Sequence, residues 1–197
     1  GIDYSVSAFS NRTDNKDYMP VFRFKAKGLT QNLDKLVDLL KEISLHTVFT
    51  NKDRLVELVE ETKAGWDMDA FRRGHTIVMH RVLSYVSPVE AFCDAGELSY
   101  YEFITDVASR IHTDAEAIGA KLAAVMKKIF TRSALTLEVT ASRDDWQTAK
   151  NTVSSWITAL PQGEKLQGLC DFGLSRKNEG IMTSGTVQYV AKGGNFR

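Results

Sequence analysis

The sequence predicts an α+β protein: a two-layer sandwich in which a largely antiparallel sheet is covered on one face by helices, one of them long. Three observations carry this. Apolar residues alternate with polar ones near both ends of the chain, helical three- and four-residue spacing fills the middle, and helix-start signatures recur at Thr50, Ser87, Ser99, Thr113 and Ser142.

The opening residues Ile2, Tyr4, Val6 and Ala8 alternate with polar neighbours, the period of a half-buried strand. A polar stretch, residues 10–19, interrupts them. After Pro20 the alternation returns, with Phe22, Phe24 and Ala26 set against Arg23, Lys25 and Lys27, so the two strands are expected to pair antiparallel. Leu33, Leu36, Val37, Leu39, Leu40 and Ile43 then mark a helix with Thr30 or Asn32 as its cap. Thr50 and Asp53 open the stretch around which the chain is organised, residues 50–103. Leu55, Leu58, Val59, Thr62 and Trp66 share one helical face, and Ile77, Val78, Val82, Leu83, Tyr85 and Val86 renew it. Gly74 interrupts this pattern; it reads either as a bend or close approach to another backbone, or as a weak point in a long helix.

Ser87, Pro88 and Glu90 combine a cap, a first-turn proline and a reciprocal acid, and so begin a new short helix that Gly96 closes. Ser99 with Glu102, and Thr113 with Glu116, repeat the capping pair; the second precedes a core stripe of Ile118, Leu122, Val125, Met126, Ile129 and Phe130. Leu135, Leu137 and Val139 alternate as a strand. Ser142 and Asp145 open a helix carrying Trp146, Ala149, Val153, Trp156 and Leu160, and Pro161 stops it. Residues 161–180, with Gly163, Gly168, Gly173 and Gly180, have no period and read as an irregular arm, followed by a strand through Val187, Tyr189 and Ala191. The expected division is an α+β domain over 1–162 and, over 163–197, a linker and strand leading toward a following domain.

The 25 basic residues balance 25 acidic ones, so no net field draws the chain to nucleic acid or to an anionic membrane. No run reaches the length of a membrane span. Cys93 and Cys170 are too few for a disulfide framework, fit a reducing compartment and read as small apolar residues. Metal and catalytic patterns fail one by one. His75 and His80 are five positions apart, which turns their rings about 140° from each other around a regular helix, and His46 and His112 stand alone. Gly180, Gly185, Gly193 and Gly194 form no phosphate-binding pattern, and Ser133 and Ser184 have no nucleophile-elbow surroundings. Cys93 follows Phe92 on an apolar face, where an inert thiol is expected. The acid pairs Asp144 with Asp145 and Glu60 with Glu61 suit capping or surface roles. Tyr100, Tyr101 and Phe103 are the densest aromatic group, expected to pack on the preceding helix, with a peptide-binding wall as the alternative. No residue is therefore assigned a catalytic or metal-ligating role, and substrate-binding residues stay unassigned.

Certain stretches carry a resemblance. The segment 51–103, with Asp53-Arg54-Leu55 at its start, Gly74-His75, small and apolar residues around Ser87-Pro88, and GELSYYEF at Gly96–Phe103, resembles the third domain of pitrilysin and insulinase-type zinc metallopeptidases, the presequence protease subgroup above all. The opening strand pair with its charged loop agrees. So does TVQYVAKGGNF at Thr186–Phe196, which is similar to the segment by which that family's chain enters its last domain.

The resemblance implies a long chain of four similar α+β domains whose halves close like a clamshell around a peptide chamber. Zinc in that family is held in the first domain by an HxxEH motif and a distant glutamate. This chain has no HxxEH, and the family's catalytic arginine and tyrosine come from the fourth domain, expected beyond Arg197. A non-catalytic domain is therefore implied, which forms chamber wall and docks on the catalytic half of the same polypeptide. Zinc is expected in the parent enzyme and no cofactor in this fragment. Its partners would be that catalytic half and unstructured peptides, with no nucleic acid or membrane, in a bacterial cytoplasm or an organelle matrix. One rival reading is a stand-alone inactive homologue acting as a structural or adaptor protein; another is an unrelated helical module whose aromatics hold a small ligand.

Overall fold

The computed structural model describes residues 1–14, 16–164, 170–182 and 186–194; Gly168, Ser184, Gly185 and Phe196, which figure in the sequence reading, lie outside them. The fold is α+β. Strands β1 (Ile2–Ser10) and β2 (Tyr18–Ala26) are followed by helices α1 (Leu33–His46), α2 (Lys52–Arg72), α3 (Gly74–Ser84), α4 (Pro88–Asp94), α5 (Leu98–Ile129) and α6 (Trp146–Ala159).

The hairpin is the strand pair that the alternation predicts. Gly1 and Lys27 exchange two hydrogen bonds, of 2.6 and 2.8 Å, and Asn11 N–H donates to the Asp17 carbonyl at 3.1 Å, which fixes one antiparallel register along its length. That register sets Pro20 opposite Ala8 at a non-hydrogen-bonded pair, where the missing N–H breaks no rung of the ladder. It also puts Ile2, Tyr4, Val6, Ala8, Phe22, Phe24 and Ala26 on one face. Phe22 and Phe24 meet Phe130 edge-on at 5.8 and 5.7 Å, but Tyr4 is 71% and Val6 62% exposed.

The sheet is smaller than expected. Among the described residues it has two strands, and the strands predicted at 135–139 and 187–191 are not formed. Alternation prepares a segment for a sheet, but extended backbone becomes a strand only beside a ladder partner. Leu135 instead joins a helical core, and Val187 and Val190 stay exposed.

The chain forms two compact units, each built from separate stretches. In the first (Gly1–Ser5, Phe22–Lys52, Glu116–Gly168), α1 packs on α6, and Val37, Leu40, Phe130, Trp156 and Leu160 make the core. Met126 and Ile129 pack against it as the stripe predicts, whereas Leu122 and Val125 are exposed. In the second (Val6–Val21, Asp53–Ala115, Leu169–Arg197), α3 packs on α4, and Leu55, Ile77, Ala91, Ile104, Val107 and Ile111 are buried. Here Tyr18 is buried as well: its ring lies 5.9 Å from Phe92 and 6.1 Å from Phe172, and its hydroxyl both donates to the Cys170 carbonyl and accepts the Cys170 N–H.

Two helix boundaries differ from expectation. The stretch 50–103 is helical, but α2 ends at Arg72 and α3 starts at Gly74, where the ring of Tyr189 fills the space that a Cβ would take. Conversely, α5 runs unbroken for 32 residues, about 48 Å, through the predicted start at Thr113. Arg110 explains it: its guanidinium reaches back to Asp106 at 2.9 Å and forward to Asp114 at 3.2 Å, both one turn away, and so bridges the site of the expected break. Thr113 Oγ1 donates to the Arg110 carbonyl instead of capping a new helix.

Candidate functional site

The α3–α4 corner holds the densest set of engaged polar groups among the described residues, and Ser87 builds it. Its backbone is extended (φ −136°, ψ 124°), its Oγ accepts the Glu90 N–H at 3.4 Å, and Pro88 occupies the first turn of α4, as the sequence signature requires. Ala91 and Asp94 are buried in consequence. Gly96 N–H returns to the Cys93 carbonyl at 2.9 Å and closes α4. Ser99, expected as the next cap, lies within α5 and donates to Asp94 Oδ2 at 3.1 Å.

Arg81 on α3 is the centre of the first cluster. It donates to Asp94 Oδ2 at 2.8 Å and grips both oxygens of Glu179, at 2.7 and 3.1 Å, while the Tyr85 hydroxyl donates to Glu179 as well. These hydrogen bonds, Arg81's first, hold the Glu179 carboxyl down at about 2, and they push the guanidinium further above its ordinary range. The result fastens the segment 170–182 to α3. A recess of about 320 Å³ is lined here by Arg81, Ser84, Asp94, Phe172, Leu174 and Lys177.

His80, on the preceding position of α3, starts a second cluster. Its Nδ1 is 2.8 Å from Glu90 Oε2, and the ligating atoms of His80, Glu90 and Cys93 all lie within 4.8 Å of one another, each residue half-buried. Burial first, and then the carboxylates of Glu90 and Glu97, push the Cys93 thiol up. A nucleophilic cysteine is favoured by the opposite shift. Glu97 accepts from Arg73 at 2.5 Å through one oxygen, and its other oxygen is buried with no hydrogen-bond partner.

The aromatic group divides. Tyr100 packs on Trp66 at 5.6 Å, and the Tyr101 hydroxyl donates to Asp67 Oδ1 at 2.8 Å, so both fix α5 against α2 as expected; Phe103 remains 55% exposed. Lys63 donates to Asp67 at 2.5 Å, and the bonds from Lys63 and Tyr101 hold that carboxyl below its usual range. Beside them a shallow recess of about 420 Å³ runs along α2 past Glu61, Gly65, Trp66, Met68 and Arg72.

The remaining candidates are dispersed. His75 faces Tyr189 at 6.2 Å and does not meet His80, as their spacing on one helix foretells. His112 pairs with Glu60 at 3.1 Å on the surface, and His46 sits in the last turn of α1. The Ser142 hydroxyl donates to Asp145 Oδ2 at 2.6 Å and accepts the Asp145 N–H at 3.1 Å in the turn before α6, whose N-cap position falls to Asp145 without a side-chain capping bond. Cys170 is exposed. Sequence reasoning missed the His80, Glu90 and Cys93 cluster. Its only trace is Glu90 with Cys93 three residues on, since the third member lies on the previous helix and comes near only through the Ser87 corner.

A family model described as peptidase-associated, that of metallopeptidase family sixteen, subfamily C, matches residues 1–107. Protein HypA of Clostridium perfringens is 29% identical over 198 residues, covering all of this chain and 20% of the relative. Presequence protease 1, chloroplastic/mitochondrial, of Arabidopsis thaliana is 24% identical over 175 residues, 87% of this chain and 16% of the relative. The mitochondrial presequence protease of Yarrowia lipolytica is 25% identical over 134 residues, 67% of this chain and 14% of its own. The chain thus spans a fifth or less of the length of these curated relatives. Among the described residues, no helix is long and apolar enough to cross a membrane.

Proposed function

Because the chain belongs to this peptidase-associated family, we propose that it is a non-catalytic domain of a clamshell zinc metallopeptidase that degrades unstructured peptides. It forms part of the chamber wall and docks on the catalytic half of the same polypeptide. The family match carries this reading, and the presequence proteases among its relatives name the activity. On this reading residues 163–197 lead toward a following domain, and the compartment is that of the parent protease, a bacterial cytoplasm or an organelle matrix.

The parent enzyme's zinc does not fit here. The sequence holds no HxxEH, and the two histidines of α3 engage different partners, Tyr189 and Glu90. No catalytic residue is therefore assigned to this chain. Its contribution to rate is confinement and orientation of the peptide once the halves close. The exposed hairpin face at Tyr4 and Val6 supports docking, because apolar side chains of one face left in water suit a surface that the rest of a longer protein covers.

The test has two arms. Incubated with an unstructured peptide, the protein is expected to give no cleavage above background, with or without added zinc; cleavage that a chelator abolishes overturns the reading. Mixed with the catalytic half supplied as a separate chain, it is expected to bind, and Tyr4→Glu with Val6→Glu to weaken that binding. Failure to bind refutes the docking.

A further inference from the structure

We propose that His80, Glu90 and Cys93 bind one divalent metal ion of the zinc type, as a structural clamp between α3 and α4. The site is separate from the peptidase zinc in ligands and in place, and it stands whether or not the proposed function does.

The geometry is nearly that of a metal site. Zinc binds nitrogen or oxygen at about 2.0 Å and sulfur at about 2.3 Å, which sets tetrahedral ligands about 3.3 to 3.8 Å apart. Here His80 Nδ1 and Glu90 Oε2 stand 2.8 Å apart, and no pair among the three ligating atoms exceeds 4.8 Å. With a single sulfur the separations needed are about 3.3 Å between nitrogen and oxygen and about 3.5 Å from either to sulfur, so the short pair must open by about 0.5 Å and a pair at the 4.8 Å limit must close by about 1.3 Å. Glu90 and Cys93, three positions apart on α4, share a face. The Ser87 cap and Pro88 fix the angle at which that face meets α3, so the ligands are brought together before any ion arrives.

The chemistry selects the ion. A neutral imidazole, a carboxylate and a thiolate carry two negative charges, which a divalent ion matches. Sulfur and imidazole together favour zinc or cobalt over calcium and magnesium, which take oxygen. Glu97 gives one oxygen to Arg73 at 2.5 Å, and its other oxygen is buried without a partner. The nearest arginine on α3, Arg81, is already matched by Asp94 and Glu179. His80 and Glu90 side chains are 23% and 27% exposed, so an ion has a way in.

Cobalt titration of the intact protein tests this, because a thiolate ligand gives a near-ultraviolet charge-transfer band that a site of histidines and carboxylates cannot. The band should saturate at a single equivalent and disappear on adding zinc. Cys93→Ser should abolish it and Cys170→Ser leave it unchanged. His80→Ala should weaken binding by at least about tenfold, since even outer-sphere partners of metal ligands are worth that much. In the wild-type protein, which needs no variant to fold, zinc should block alkylation of Cys93 while Cys170 still reacts. No thiolate band, a band that follows Cys170, or Cys93 labelling indifferent to zinc overturns the proposal.

Discussion

The indole Nε1–H of Trp156 on α6 donates a 2.9 Å hydrogen bond to Ser44 Oγ on α1, and that hydroxyl in turn donates to the Leu40 carbonyl at 2.6 Å. Both residues are buried, so the relay ties two helices of the first unit's core through a single polar contact. Removing the Ser44 hydroxyl leaves the indole N–H unsatisfied in the interior, which costs about 1–3 kcal/mol, whereas without the indole Ser44 keeps its bond to the Leu40 carbonyl and the cost comes from the lost hydrogen bond and ring volume. Ser44→Ala and Trp156→Phe are each expected to lower stability by about that much, and the pair to cost about 1 kcal/mol less than the sum. Urea unfolding of the four proteins of the cycle measures this. Strict additivity would show that the hydrogen bond contributes nothing.

Gly163 lies at φ 61°, a left-handed conformation, and a Cβ there would overlap the side chain of buried Thr131. The loops around it are held: Arg132 N–H donates to the Pro161 carbonyl at 2.9 Å, and Ser133 N–H to the Gln162 carbonyl at 3.1 Å. Gly163→Ala therefore meets both a backbone penalty of about 1–2 kcal/mol and a contact that must give way. A clear fall in Tm is expected. An unchanged Tm would mean that the loop is not fastened in this way.

Much of this fold was legible in the sequence, and the failures have physical causes. The hairpin, the Ser87 corner, the Ser142 turn before α6 and that helix's stop at Pro161 were readable because each depends on groups within a few residues of one another. The expected strands at 135–139 and 187–191 failed because a strand depends on a partner that alternation cannot name. The continuity of α5 was hidden by Thr113, whose capping potential local sequence shows and whose defeat by Arg110 it does not. At the candidate site, Glu90 and Cys93 were neighbours in sequence, but His80 joins them only through the packing of two helices. The Arg81 to Glu179 pair spans 98 residues, beyond any local pattern.

That pair makes the second unit sensitive to acid. The Glu179 carboxyl, ordinarily at 4.5, is held at about 2 by Arg81 and Tyr85. A folded-state value below the unfolded one means that the contribution is fully present above pH 4.5 and is lost as pH falls through about 2. The segment 170–182 should therefore loosen across that window. Pepsin cleavage around Phe172 and Leu174 is expected to accelerate as pH falls from 4.5 toward about 2 in the wild type. In Glu179→Gln it should already be fast at pH 4.5. At neutral pH the same variant should be cut faster by trypsin after Arg176 and Lys177. Equal rates in both proteins would show that Glu179 does not hold the segment.

Gly74 opens α3 against the ring of Tyr189, and substituting both separates two opposing effects. Alanine is the better helix former by about 0.8–1.0 kcal/mol in a helix interior, a gain that is smaller at a first position such as this one in α3. Against it stands the Tyr189 ring, which occupies the space an alanine methyl needs. Gly74→Ala alone is expected to displace the ring from α3 and His75 and to lower Tm. In a Tyr189→Ala background the obstacle is gone, and the same substitution should raise Tm. The sign of the Gly74→Ala effect, read in the two backgrounds by thermal melting, thus reports directly whether residues 186–194 lie against α3. A destabilisation of equal size in both would mean that the Tyr189 ring is not what opposes a side chain at position 74.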